Sequence, residues 1–335
     1  MYVFGDSLVD VGNNDHLPLS IIKANFPYNG IDYPGQKATG RFCNGKNAAD
    51  ILVLINGCPT AEKLGLSTAP PYLSQPDSVF LKGVNFASGG AGIFNATNEN
   101  LIKYTVPLAR QVEHFSNVRQ RLVFELGHTA AQEHLSKSLF PIIIGSNDII
   151  YYFISGSKDS NSSQQHVTLM VSTLKQLLKG MYGLGARKFI VIGIAPIGCI
   201  PLLRSHNTSN ECNNEVNYWS NKYNYELTQM LGVLQSELNE FHYSYYDAYG
   251  VLLDFIQRPA SYGFNETISA CCGLGRLRAK LPCTPLSLIC PNRRANLFWD
   301  AFHPTEAAAR MLIDMLFSGS GNRVFPMTMT QLISM

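Results

Sequence analysis

Met1-Tyr-Val-Phe-Gly-Asp-Ser7 opens the chain with a short apolar run that stops abruptly in a glycine, a carboxylate and a hydroxyl. Rich in β-branched and aromatic residues and bounded by a turn, residues 1–4 read as a buried strand. Similar runs recur at 83–87, 140–144, 188–195 and 243–248. Between them, Val112, Phe115, Val118, Leu122 and Leu126 keep a helical spacing, as do Val167, Met170, Val171, Leu174, Leu177, Leu178 and Met181 before Gly183 and Gly185. A third stripe runs through Val216, Trp219, Tyr223, Leu227, Met230, Leu231, Leu234 and Leu238. Short strands alternating with long amphipathic helices predict an α/β chain with a parallel sheet and crossover helices. A last helix is expected from Pro304 to about Phe317, leaving 318–335 as a C-terminal tail. No repeat, charge block or composition shift marks a linker, so 1–317 is expected to be a single domain.

Composition narrows the function classes. The 335 residues carry 26 Lys plus Arg against 24 Asp plus Glu, and charged residues are 15% of the chain. A balance this even implies no nucleic-acid partner. The longest uncharged apolar stretch, 189–203, is broken by Gly193, Pro196, Gly198 and Pro201 and falls short of the ~18 residues a membrane span needs, so no transmembrane segment is expected. Six of the 8 cysteines fall late, at Cys199, Cys212, Cys271, Cys272, Cys283 and Cys290, and suggest loop staples. Asn95, Asn161, Asn207 and Asn265 open N-glycosylation acceptor triplets in polar stretches. Together these favour an extracellular, secreted protein. The first residues have no basic n-region, apolar h-region or small-residue cleavage site, which reads as a mature or truncated start. Zinc held by the cysteines between 271 and 290 is the rival reading, but no Cys-x2-Cys pair or Cys/His ligand set stands there.

In an open parallel sheet, ligands bind outside the carboxyl ends of the strands. The residues just past those ends are small and polar: Gly5-Asp6-Ser7, Ser88-Gly89-Gly90-Ala91-Gly92 and Gly145-Ser146-Asn147-Asp148. Near the far end stands Asp300-Ala-Phe-His303-Pro304-Thr305. A hydroxyl nucleophile needs a base, and the base needs an orienting acceptor; His303 and Asp300, three apart in a turn, can provide both for Ser7. Attack on an ester puts negative charge on the carbonyl oxygen, which needs preorganised donors. The Ser7 N–H, a backbone N–H at Gly90 and the side-chain amide of Asn147 fit those roles, with Gly89 as the alternative within the glycine run. Simpler readings compete: Ser7 as a helix cap, Asn147 satisfying turn backbone, and Asp300 capping the helix that opens at Pro304.

Other motifs lack their central residues. Gly40-Arg-Phe-Cys-Asn-Gly45-Lys46-Asn47 mimics a phosphate-binding loop but ends in Asn where Ser or Thr would hold magnesium, and no strand precedes it. No Gly-x-Ser-x-Gly elbow occurs, and no Gly-x-Gly-x-x-Gly follows a strand. The histidines at 16, 114, 128, 134, 166, 206 and 242 receive no role.

Phe4-Gly-Asp-Ser-Leu-Val-Asp-Val-Gly-Asn-Asn14 resembles the first block of the plant GDSL esterase/lipases, a branch of the SGNH hydrolases. Val84-Asn-Phe-Ala-Ser-Gly-Gly-Ala-Gly92, Ile144-Gly-Ser-Asn-Asp148 and Asp300-x-x-His303-Pro304 are similar to its later blocks, in the same order. The resemblance implies a three-layer α/β/α, flavodoxin-like SGNH hydrolase fold with a five-stranded parallel sheet. It implies Ser7 as nucleophile, His303 as general base and then acid, Asp300 as its orienter, and an oxyanion hole of Ser7, Gly90 and Asn147. The implied activity is a serine esterase or lipase acting on small-molecule or lipid esters in lipid metabolism, with no metal or cofactor. An acyltransferase using the same acyl-enzyme, or a non-catalytic binding protein on the same scaffold, are the alternatives. Ile197-Gly-Cys-Ile-Pro201 with Cys212, and Ala270-Cys-Cys-Gly273 with Cys283 and Cys290, are similar to disulfide-bearing segments of the family. One departure stands out: Asn56-Gly-Cys-Pro-Thr60 interrupts the stretch after Asp50 where the family usually continues one helix, so Gly57 and Pro59 should break it and Cys58 has no family counterpart as a partner.

Overall fold

A computed structural model describes residues 1–55, 68–74, 81–97, 104–156 and 159–335. Its strands are β1 (Tyr2–Gly5), β2 (Val84–Asn85), β3 (Leu139–Ile143), β4 (Lys188–Ile192), β5 (His242–Tyr246), β6 (Glu266–Ala270), β7 (Cys272–Gly273), β8 (Leu288–Ile289), β9 (Asn296–Phe298) and β10 (Val324–Pro326). Its helices are α1 (Ala48–Ile55), α2 (Leu108–Leu126), α3 (His128–Lys137), α4 (Ser146–Ile154), α5 (Ser160–Gly183), α6 (Pro201–His206), α7 (Asn214–Glu237), α8 (Ala248–Gln257), α9 (Glu306–Ser318) and α10 (Met329–Ser334).

The main sheet has the order β10-β5-β4-β3-β1-β2. β2, β1, β3, β4 and β5 run parallel, pairing Tyr2 with Val84, Phe4 with Ile142, Phe140 with Phe189 and Val191 with Tyr245. These are the five parallel strands expected from the sequence. Alternation along β1 sends Tyr2 and Phe4 into the larger core with Phe115, Val118 and Leu122 of α2, while Val3 joins a separate cluster with Val9, Ala49 and Ile143. α2, α3, α5 and α7 pack on one another, as do α1 and α9. In this topology the strand order reverses between β1 and β3, which opens a crevice at their carboxyl ends.

Boundaries shift where local chemistry intervenes. The strand expected over 188–195 ends at Ile192: Gly193 N still donates to Tyr246 O, but Asn224 then takes both backbone groups of Ile194. The helix expected from Pro304, α9, starts two residues later, at Glu306: Pro304 bridges Phe298, and Thr305 is the N-cap, its hydroxyl accepting from Ala308 N at 3.2 Å. The expected C-terminal tail over 318–335 is corrected. β10 adds antiparallel to β5 as a sixth strand, Arg323 pairs with Asp247, and α10 buries Met329 and Leu332 behind a Thr328/Gln331 capping box. The apolar residues of this stretch fall in a strand and a helix too short to show a period that announces the docking. Asn56–Thr60, with Gly57, Cys58 and Pro59, lies outside the described residues.

Candidate active site

Ser7 sits two residues past the end of β1, beyond a closely packed glycine. A Cβ on Gly5 would lie 2.4 Å from Ile143 O and 2.6 Å from Val9 Cγ2, so only glycine allows β1 and β3 to close this tightly. Gln111, buried on α2, completes the strand end: its Oε1 accepts from Gly5 N at 2.9 Å and its Nε2 donates to Gly5 O at 2.8 Å. The N–H groups of Val9 and Asp10 both donate to Asp6 O, which turns the chain and lifts Ser7 above the sheet. Ser7 is buried, and its Oγ lies 2.7 Å from His303 Nε2.

His303 comes from the opposite end of the chain and is held by a separate small lobe. β6 pairs with β9, β7 with β8, and disulfides join Cys271 to Cys290 and Cys272 to Cys283 around the buried Trp299. Cys272 N donates to Trp299 O at 2.7 Å, and Trp299 N donates to His303 O at 2.7 Å, so the stapled lobe anchors the histidine turn. With these thiols bonded to one another, none is left there as a zinc ligand. Both Asp300 oxygens lie 2.8 Å from His303 Nδ1, and Asp300 Oδ1 also accepts from the backbone N–H of Phe302 and His303. A carboxylate only accepts, so the proton belongs on Nδ1 and Nε2 is left to accept from Ser7 Oγ–H. The alternative role for Asp300, capping the following helix, falls to Thr305 instead. Phe42 packs over the imidazole with ring centroids 5.2 Å apart.

The remaining strand ends converge on the same point. Gly89 N donates to Asp10 Oδ2 at 2.9 Å, so within the glycine run that N–H is already engaged. Gly90, with φ of 78°, lines the cavity beside Ser7 and Asn147. Asn147, in the first turn of α4, donates one Nδ2 hydrogen to Ala91 O at 2.8 Å. It therefore does satisfy turn backbone, yet an amide carries two such hydrogens. Next to it, buried Asp148 accepts from Ile93 N, Phe94 N and Thr97 Oγ1 and ties that loop to α4. Besides Asp300, three carboxylates are buried close to these strand ends. Burial pushes Asp6 up to about 7, partly opposed by the Leu8 N–H and His303, and Asp10 up to about 6 against four backbone N–H donors. Asp148 is likewise raised by burial.

Above the crevice runs a cavity of about 200 Å³. From Ser7 it passes Leu8, Ile143, Ile144 and Ile192 at the strand ends and reaches Leu252 of α8 and Leu312 and Ile313 of α9. Its walls are aliphatic or aromatic almost throughout, and His303 is the one histidine among its lining residues. The other histidines are elsewhere; His134 bonds Tyr2 OH and His166 stacks on Tyr152. The phosphate-loop mimic has a structural use: Arg41 forms a buried ion pair with Asp50, and Asn47 Oδ1 accepts from Ala49 N and Asp50 N to cap α1. Cys43 lines the cavity, but burial raises its thiol far out of the nucleophilic range. Asp10, Asn14 and Gln111 carry contacts that sequence reasoning missed. The polar run Asp10-Val-Gly-Asn-Asn14 after a strand was the available signal for the first two.

The family model described as GDSL-like lipase/acylhydrolase matches residues 1–316. Three Arabidopsis thaliana proteins named GDSL esterase/lipase are similar to the chain. One is 48% identical over 346 residues, covering 100% of this chain and 89% of the relative. The second is 39% identical over 322 residues, with 95% and 88% covered, and the third 39% identical over 346 residues, with 99% and 90% covered.

Proposed function

The chain belongs to the GDSL-like lipase/acylhydrolase family and is an ester-hydrolysing enzyme, and we propose that it works through Ser7, His303 and Asp300. The observation that carries this reading is the 2.7 Å contact of Ser7 Oγ with His303 Nε2, backed by Asp300 on the far ring nitrogen. Ser7 Oγ attacks the ester carbonyl carbon while Nε2 takes its proton. The oxyanion is met by the N–H of Ser7, the N–H of Gly90 and the second Nδ2 hydrogen of Asn147. As the C–O bond of the alcohol breaks, the imidazolium returns its proton to the leaving oxygen, and an acyl-enzyme remains on Ser7. Water, deprotonated by Nε2, then attacks the acyl carbon and releases the acid and Ser7. Asp300 keeps the proton on Nδ1 and stabilises the imidazolium.

The aliphatic cavity beginning at Ser7 supports an apolar acyl group, hence a lipid ester and a place in lipid metabolism. Three disulfides, Cys199–Cys212, Cys271–Cys290 and Cys272–Cys283, fit an extracellular protein. No helix among the described residues is long and apolar enough to cross a membrane. Asn95, Asn161 and Asn265 are exposed and Asn207 partly so, which supports secretion with N-glycans at these positions. Residues 1–317, with the docked β10 and α10, are read as one hydrolase domain. The test is turnover of p-nitrophenyl acyl esters by wild type, Ser7→Ala and His303→Ala. Each substitution should lower kcat by at least about 10³-fold; undiminished turnover in Ser7→Ala would overturn the assignment.

A further inference from the structure

Asn14 is fully buried, lies outside the catalytic set and holds three groups at once. Its Nδ2 donates to Gly89 O at 2.9 Å and to Ile22 O at 3.0 Å, and its Oδ1 accepts from Ser88 Oγ at 2.5 Å. Asp10, four residues earlier, accepts from Gly89 N at 2.9 Å. Both peptide groups flanking the Gly89 Cα are thus fixed by side chains of the segment that follows Ser7.

The geometry of the glycine turn gives that clamp a direction. Ser88 to Ala91 is a four-residue turn closed by Ala91 N donating to Ser88 O at 3.0 Å, with the left-handed residue, Gly90 at φ 78°, in third position, as a type II turn requires. Its central peptide joins Gly89 to Gly90, and in a planar trans peptide the C=O and N–H point opposite ways. Asn14 holds the C=O. The Gly90 N–H is therefore aimed away from Asn14, and Gly90 lines the cavity together with Ser7 and Asn147. A turn with glycine at both central positions can also flip that peptide at little steric cost, because glycine accepts either sign of φ. A flip would put a carbonyl oxygen where negative charge develops. The clamp packs closely on the turn: a Cβ at Gly89 would meet Asn14 Nδ2 and the Phe42 ring at 2.7 Å.

We propose that Asn14 is the positioning residue of the oxyanion hole, its amide locking the Gly89–Gly90 peptide in the orientation that presents the Gly90 N–H to the reacting carbonyl. This rests on the reading of Ser7 and Gly90 given above. Asn14→Asp keeps the shape and removes both donors; Ser88→Ala removes the hydroxyl that holds Asn14 Oδ1 and that accepts from Val106 N, leaves the Asn14–Gly89 bond in place, and serves if the first variant does not fold. The readouts are kcat and KM on a p-nitrophenyl ester, and the Ki of an alkyl trifluoromethyl ketone, whose serine adduct carries the oxyanion.

For Asn14→Asp, kcat should fall about 10- to 100-fold with KM within about threefold, below the full loss of one donor, and the ketone Ki should rise by the factor lost in kcat/KM. Ser88→Ala should show the same pattern at a few-fold. A folded Asn14→Asp with wild-type kcat, or with only KM raised, would overturn the proposal, as would a Ser88→Ala variant with unchanged ketone Ki when Asn14→Asp does not fold. Ser7→Ala is measured alongside: if it stays active, the reading of the whole site fails, whereas an inactive Ser7→Ala beside a fully active Asn14→Asp removes Asn14 alone.

Discussion

Asp300→Asn isolates what the carboxylate does, because it changes one atom of the site and leaves the turn in place. Asp300 Oδ1 accepts from the N–H groups of Phe302 and His303 at 2.9 and 2.8 Å, so in the variant the amide oxygen must stay at that position and the NH₂ must take the place of Oδ2. Oδ2 lies 2.8 Å from His303 Nδ1. An amide donor there pairs with a bare Nδ1, which moves the ring proton to Nε2 and removes the lone pair that should accept from Ser7. The wrong tautomer costs about 10⁴ in a serine protease triad. Here Oδ1 also lies 2.8 Å from Nδ1 and can still accept from an Nδ1–H, so part of the population keeps the right tautomer. The expected loss is about 10²- to 10⁴-fold in kcat, or about 3–5 kcal/mol in the barrier. KM should change little and the thermal midpoint by only a few degrees, since the backbone bonds persist. Steady-state kinetics on a p-nitrophenyl ester, with the thermal midpoint as control, measures this. A kcat within tenfold of wild type in a folded variant would refute the tautomer argument.

Asn147→Ala should slow turnover roughly 10²–10³-fold with a rise in trifluoromethyl ketone Ki to match, measured on protein whose circular dichroism is unchanged; an unaltered Ki would remove Asn147 from the oxyanion hole. Asp6 titrates near 7 in the folded state because of burial, against 3.8 ordinarily, so the folded state holds its proton more tightly and stability falls as pH rises from about 4 to 7. Asp6→Asn carries no such charge: urea denaturation should show it gaining on wild type by a few kcal/mol at pH 8 and by nothing at pH 4, and a gain independent of pH would contradict the assigned cause. Ile192→Phe narrows the cavity beyond Ser7 and should cut kcat/KM for long-chain esters at least tenfold more than for acetyl esters; equal losses would place the acyl chain elsewhere.

How far the sequence reached follows the physics of each residue. The five parallel strands and the long helices were legible because each buries a face with its own period, as Tyr2 and Phe4 do against α2. Ser7, Asp300 and His303 stood out only together, since Ser7 or Asp300 alone reads as an ordinary cap while the three fit a nucleophile, its base and the base's orienter. The choice between Gly89 and Gly90 was closed to sequence, since it turns on a single carboxylate accepting Gly89 N from a neighbouring loop. Asn14 reads in sequence as an ordinary turn residue, and Gln111 as one polar position of an amphipathic helix; only tertiary contact reveals their partners. β10 was missed for a related reason, because an edge strand of Val324–Pro326 is too short to carry alternation and is specified by its pairing with β5. Disulfide connectivity likewise became fixed only when the lobe around Trp299 brought the cysteines together.

The proposed mechanism makes Ser7 the residue that forms the covalent intermediate, with His303 as its base. A fluorophosphonate probe incubated with the native enzyme, followed by proteolysis and mass spectrometry, locates the bond directly. A single adduct is expected on the peptide containing Ser7, absent in Ser7→Ala and formed at least about 10²-fold more slowly in His303→Ala. An adduct on any other residue, or equal labelling of Ser7→Ala, would contradict it.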